Sequence, residues 1–131
     1  MATVFSKIVA GEISSYKIAE DEKHLAFLDI FPLVKGHVLV IPKQEVDKYF
    51  DLDDATICSL NLFAKRVAKA IEKAIPCQRV GVAVIGLEVP HAHIHLVPLN
   101  RMSDIDFSQP KKQFSPEEMS QIAQSIRQFF E

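Results

Sequence analysis

Between Pro90 and Val97 the chain reads Pro-His-Ala-His-Ile-His-Leu-Val, a strict alternation of imidazole and apolar side chains. Successive side chains of a strand point to opposite faces. The run therefore predicts a strand with His91, His93 and His95 on one face and Ala92, Ile94 and Leu96 on the other. The apolar set needs a covering layer, naturally a helix. The imidazole set needs polar company, because a buried ring nitrogen without a partner is costly. One histidine alone would be read as a satisfied structural residue, and a solvated strand face is the plain reading of the run. Three on one face mark a place for chemistry.

The rest of the chain supplies what such a strand needs. Short strands are predicted at Tyr16–Ala19, Leu25–Ile30 and His37–Ile41, the last two stopped by Pro32 and Pro42. Gly36 gives the backbone freedom of a tight connection. Ile57, Leu60, Phe63, Ala64, Val67, Ala68, Ile71 and Ile75 then recur at helical spacing. They predict a long helix capped by Asp53 or Asp54 and stopped before Pro76. Arg79–Ile85 is continuous and β-branched, and reads as a strand buried on both faces. After the histidine strand, ended by Pro98, residues 100–114 are polar and irregular. Ser115-Pro116-Glu117-Glu118 opens a final helix with a capping-box pattern. The expected fold is α+β: a five-stranded antiparallel sheet, one long central helix and a C-terminal helix, in a single domain spanning 1–131.

Composition narrows the function classes. With 15 Lys+Arg against 17 Asp+Glu, the net charge of −2 carries no clustered basic footprint for nucleic acid. No apolar run approaches a membrane span. Cys58 and Cys77 form neither a CxxC pair nor a disulfide framework, and the N-terminal residues show no signal-peptide pattern. A cytoplasmic protein is expected.

Two chemistries suit the histidine row. Neighbouring imidazoles are roughly 6.6 Å apart along a strand and suit one Zn²⁺, but the outer two are roughly 13 Å apart. A metal would therefore need Glu88, His24 or His37 as further ligands. Alternatively, the middle imidazole attacks an electrophile while its neighbours bind charge and handle protons. A linear row suits this division of labour better than it suits one tetrahedral ion.

His91-Ala92-His93-Ile94-His95-Leu96-Val97 resembles the signature of the histidine triad (HIT) family, in its nucleoside phosphoramidase-like bacterial branch. Three further segments are similar in the same order: Phe5–Val9 with Gly11-Glu12-Ile13, Ala26–Ile30 before Pro32, and Gly36–Lys43. Together they cover residues 4–99, and residues 100–131 match no named motif. The resemblance implies hydrolysis or transfer at the α-phosphate of a nucleoside monophosphate conjugate, an adenosine phosphoramidate or a dinucleotide. It implies His93 as nucleophile, His91 and His95 flanking the phosphate, and His37 as a supporting partner. Asp29 would bind the ribose; Phe5, Ile8, Phe27 and Ile30 would wall the base; the Val89 amide would bind a phosphate oxygen. From pattern alone these apolar residues suit a core equally, Asp29 a turn and His37 a surface position. Glu88 departs from the hydroxyl residue usual in that branch, and Thr3 and Ser6 replace the cysteines with which some bacterial relatives bind zinc. No metal or cofactor is expected, and the partners implied are a purine nucleotide and a second copy of the chain. A metal-dependent enzyme on the His row and Glu88, or a nucleotide-binding module with weak catalysis, are the alternatives.

Overall fold

Alternation along three neighbouring strands builds one apolar face and one functional face. In the computed structural model, which describes residues 2–131, the sheet strands are β1 (Lys17–Glu20), β2 (His24–Leu28), β3 (Val38–Pro42), β4 (Arg79–Ala83) and β5 (Ile94–Leu99). All pairs are antiparallel and the spatial order is β1-β2-β3-β5-β4. Register places Ala26, Val40 and Ile94 in one cross-strand row, and Leu28, Val38 and Leu96 in another. Both rows face the main core. The intervening row, Phe27, Leu39 and His95, faces the other way.

The core-side rows are covered by α2 (Asp54–Ala74), which buries Leu60, Phe63, Ala64, Val67, Ala70 and Ile71. Each large side chain among them contributes about 1.5–3 kcal/mol by leaving water. Asp53 is the N-cap, accepting from the Thr56 amide at 2.7 Å. α3 (Pro116–Arg127) carries the expected capping box and packs Met119, Ile122, Ala123 and Ile126 into the same core. The C-terminal helix therefore covers its own sheet.

Against the opposite face lies α1 (Val4–Val9), an element that the hydrophobic pattern left unassigned. It is too short for a periodic signal, and Thr3 caps it by accepting from the Ser6 amide. Its Phe5 joins Leu25, Phe27, Leu39 and Ile41 in a second cluster, with Ile8 and Val89 packed beside it.

Two strand expectations are corrected. β4 is an edge strand, not a strand buried on both faces: Val82 is 61% exposed, and the run ends at Ala83 rather than Ile85. A continuous apolar run cannot say whether anything lies over its second face. The histidine strand starts late, at Ile94, so His91 and His93 sit in the segment leading into it, outside the ladder. It also runs through Pro98, paired with Val80 at a level that the β3 ladder, which stops opposite Leu96, does not reach.

Gly36, at φ +91°, makes the turn into β3. A Cβ there would stand 2.9 Å from Ile75 Cγ1, so the position is doubly closed to other residues. The turn delivers His37 to the functional face.

Candidate active site

The functional face follows from the period of two. Phe27 and Asp29, His37 and Leu39, and His93 and His95 each share a side of the sheet, and Asp29 lies directly across from His37, its amide donating to the His37 carbonyl at 3.0 Å. These residues, with Phe5, Ile8, Ile30, Glu88 and Val89, line a cavity of about 530 Å³. Phe5 and Phe27 are both buried and cavity-lining, so core and wall are one set of residues here. Their rings meet edge-on at 5.6 Å. Ile30 and Glu88 are exposed at the rim.

Hydrogen bonds assign the tautomer of every ring in the row. His93 Nδ1 lies 2.7 Å from the His91 carbonyl oxygen, which can only accept. The proton is therefore on Nδ1, and Nε2 keeps a free lone pair. Phe5 stands edge-on to this ring at 5.0 Å and fixes its plane. Leu33 N–H donates to His37 Nδ1 at 3.1 Å, which places the His37 proton on Nε2. That N–H donates in turn to His95 Nδ1 at 2.9 Å, leaving His95 with a proton on Nε2. The face thus presents one lone pair, on His93, beside a relay that ends in an N–H, on His95.

His91 is placed differently from its neighbours. It is fully buried, with Nε2 donating to the Pro42 carbonyl at 2.8 Å and Nδ1 accepting from Thr3 Oγ1 at 3.0 Å. Both nitrogens are occupied away from the cavity. Ser6 Oγ and the Thr3 amide in turn donate to the Glu45 carboxylate, which holds that carboxyl below its ordinary value, chiefly through the Ser6 hydroxyl. His91 therefore acts through its carbonyl, which aims His93.

Burial keeps His37, His91 and His95 neutral. It pushes His37 down to about 4, with the nearby Lys111 ammonium adding to the effect. Burial pushes His95 down to about 3, reinforced by its two histidine neighbours, while His91 is also lowered by burial. Near pH 7 these rings are donors and acceptors, not cations.

Of the further metal ligands the sequence suggested, His37 meets His95 of the row, whereas His24 does not reach it. His24 bonds Asp21 and Ser59 and stacks on Phe63, on the α2 side. Among the described residues, the group that converges is Asp29, His37 and His95, with ligand atoms within 4.8 Å of one another. Its chemistry suits a proton better than an ion. The Leu33 amide fixes the His37 proton on Nε2, the atom a metal would need bare.

Several residues of this site had no sequence signal. Glu45 reads as an ordinary polar position, and Thr3 and Ser6, read only as replacing the zinc cysteines of some relatives, gave no sign that they would hold His91 and Glu45. Leu33 acts through its backbone. Phe107 stands edge-on to His95 at 4.9 Å and to His37 at 6.2 Å, from a segment whose composition reads only as loop.

A family model for the HIT domain matches residues 10–102. Over 129 residues the chain is 37% identical to adenosine 5'-monophosphoramidase hnt1 of Schizosaccharomyces pombe, covering 96% of each protein. It is 32% identical to Protein hit of Bacillus subtilis, covering 94% of this chain and 90% of that one. In structure it is similar to a Hit-like protein of Bartonella henselae, with a TM-score of 0.83 at 30% identity over 97% of this chain and 95% of the other. A Zn-bound histidine triad family protein of Mycobacterium smegmatis gives a TM-score of 0.84 at 27% identity, over 99% and 94% of the two chains. The chain belongs to the HIT family. Phosphoramidase-named relatives support nucleotide hydrolase activity. Among the described residues, no helix is long and apolar enough to cross a membrane.

Proposed function

We propose that this protein is a nucleotide hydrolase or transferase that cleaves nucleoside monophosphate conjugates at the α-phosphate, with an adenosine phosphoramidate as the substrate type. The observation that carries the reading is the free lone pair of His93 Nε2, held by the His91 carbonyl beside the His95 Nε2–H. In the first half-reaction His93 Nε2 attacks phosphorus and the bond to the leaving nitrogen breaks. In the second, water cleaves the nucleotidyl-histidine and returns AMP. His95 holds a phosphate oxygen. A bound phosphate anion raises the proton affinity of the His95–His37 pair, opposing burial, so the pair can take up the proton that the departing amine needs.

The rest of the cavity suits a nucleoside. Phe5, Ile8, Phe27 and Ile30 give the base an apolar wall. Asp29 Oδ1 is engaged by the Phe31 amide at 2.8 Å, and its carboxylate would accept from ribose hydroxyls. The Val89 amide would bind a phosphate oxygen. Glu88, at the exposed rim, would face the leaving group, where a carboxylate favours a cationic or hydrogen-bond-donating one.

Incubation with adenosine 5'-phosphoramidate is expected to give steady release of AMP. An alkaline quench followed by mass spectrometry should show one AMP on the peptide containing His93. AMP release with no adduct under single-turnover conditions would replace the two-step route by direct attack of water, and no release would reject the hydrolase reading.

We also infer a homodimer built on β4 and α2. As an edge strand, β4 leaves backbone groups unpaired, and Val82, Val84 and Ile85 together with Leu62 of α2 are exposed apolar residues. Light scattering at micromolar concentration should give twice the chain mass. Val82→Lys should shift it to the monomer mass, and a wild-type monomer would overturn the inference.

A further inference from the structure

We propose, resting on the nucleotide reading above, that Lys111 is the cation of the phosphate side of this site and determines specificity for substrates with a negatively charged phosphate. The family model ends at residue 102, so this residue and the segment that carries it lie beyond the matched region.

The charge inventory of the cavity makes the case. Three charged side chains line it among the described residues, and two of them, Asp29 and Glu88, are acidic. The third is Lys111. His37 and His95 contribute no formal charge near pH 7, since burial keeps them neutral. Without Lys111, an anionic phosphate would enter a pocket whose charged side chains are two carboxylates and whose His37 and His95 rings are neutral. Dipolar donors such as the His95 N–H can orient such a phosphate, but a formal cation supplies the stronger, charge-assisted bond.

The geometry holds this cation near the histidines while leaving its charge available. The Lys112 amide ties the segment to the Pro32 carbonyl at 2.8 Å. Asp106 closes a turn by accepting from the Ser108 amide at 2.9 Å. Phe107, carried on that turn, lies against the ring of His95. Lys111 Nζ stands 5.8 Å from the centre of the Phe107 ring, the same ring that meets the His95 imidazole edge-on at 4.9 Å. Its hydrogen bonds are to the Phe107 carbonyl at 2.7 Å and the Gln109 carbonyl at 3.4 Å. Among the described residues it makes no ion pair with a carboxylate. Carbonyl oxygens hold an ammonium in place without neutralising it. A phosphate arriving beside His95 offers a better acceptor, and the side chain is exposed and free to turn toward it.

A comparison of two ligands isolates the phosphate contact. AMP and adenosine share base and ribose, so the ratio of their dissociation constants reports on the phosphate alone. Lys111→Met is expected to weaken AMP binding about tenfold and adenosine binding less than about twofold, as for loss of a charge-assisted hydrogen bond. Lys111→Arg should restore most of the ratio, and 0.5 M salt should reduce it in the wild type but not in the Met variant. An unchanged AMP-to-adenosine ratio in Lys111→Met overturns the assignment, as does equal weakening of both ligands, which would mean that Lys111 only shapes the pocket. If the wild-type protein binds neither ligand, the nucleotide reading itself fails and this proposal falls with it. That outcome is visible before any variant is made.

Discussion

Replacing His93 with alanine is expected to lower kcat/KM for adenosine 5'-phosphoramidate at least about 10⁴-fold, while AMP affinity changes less than about threefold. The size follows from what is removed. The Nε2 lone pair is the atom that would bond to phosphorus, whereas the base wall, Asp29 and the neighbouring donors remain. The fold should tolerate the change, because His91, whose carbonyl holds the ring, keeps its own bonds to Thr3 and Pro42. Two companions sharpen the result. His93→Gly, which leaves a ring-sized space, should recover part of its activity when imidazole is added. His95→Ala should act differently, slowing the reaction without preventing the adduct on His93. If His93→Ala retains activity within tenfold of wild type, His93 is not the nucleophile. Loss of AMP binding along with activity would favour a structural role, and slow wild-type turnover with tight AMP binding would favour a binding module.

The second large effect is on stability. Between pH 7 and pH 5 the protein is expected to lose about 4 kcal/mol of unfolding free energy, about 2 kcal/mol for each of His37 and His95. The sign follows from proton counting. In the folded state burial holds these rings at about 4 and about 3, against the ordinary imidazole value of 6.5. Above 6.5 neither state binds the protons and nothing is lost. As the pH falls below 6.5 the unfolded chain takes up protons that the folded chain refuses, so stability falls with pH until the folded values are approached. Carboxylates do not confuse this window. Glu45 and Glu118, held below the ordinary 4.5 first by Ser6 and by the Ser115 amide respectively, withdraw their contribution only at lower pH. Urea unfolding at the two pH values measures the difference. His37→Gln should roughly halve the acid sensitivity, and a change below about 1 kcal/mol in the wild type would show that the rings are not held neutral.

Much of the architecture is legible in the chain because periodicity is a local property. The period of two at His91–Leu96 announces an imidazole face and an apolar face whatever lies opposite. The helical stripe from Ile57 to Ile75 and the Ser115 capping box place α2 and α3 within a residue or two. The same logic puts Phe27 and Asp29 on one side of their strand. The edge position of β4 was not legible, since apolar content records an affinity for cover and not whether a second layer is present. Nor was α1, where one turn and a half of helix leaves too few residues to show a period.

What the sequence by itself determined is which side chains share a face: the row of rings, the acid at Asp29 and the aromatic residues near them. Alternation and helical pitch act between residues a few positions apart, and the chain order specifies them completely. Only the tertiary structure decided where each ring's nitrogens point. His91 lies in the same alternating row as His93, yet Thr3 and the Pro42 carbonyl turn its nitrogens away from the cavity. His37 becomes a relay because the Leu33 amide fixes its proton on one nitrogen. Lys111 joins the site because Phe107 and the Pro32 carbonyl bring a distant loop across it. Hydrogen-bond partners, burial and the field of a nearby charge depend on residues far apart in the chain, and no local pattern encodes which of them will meet.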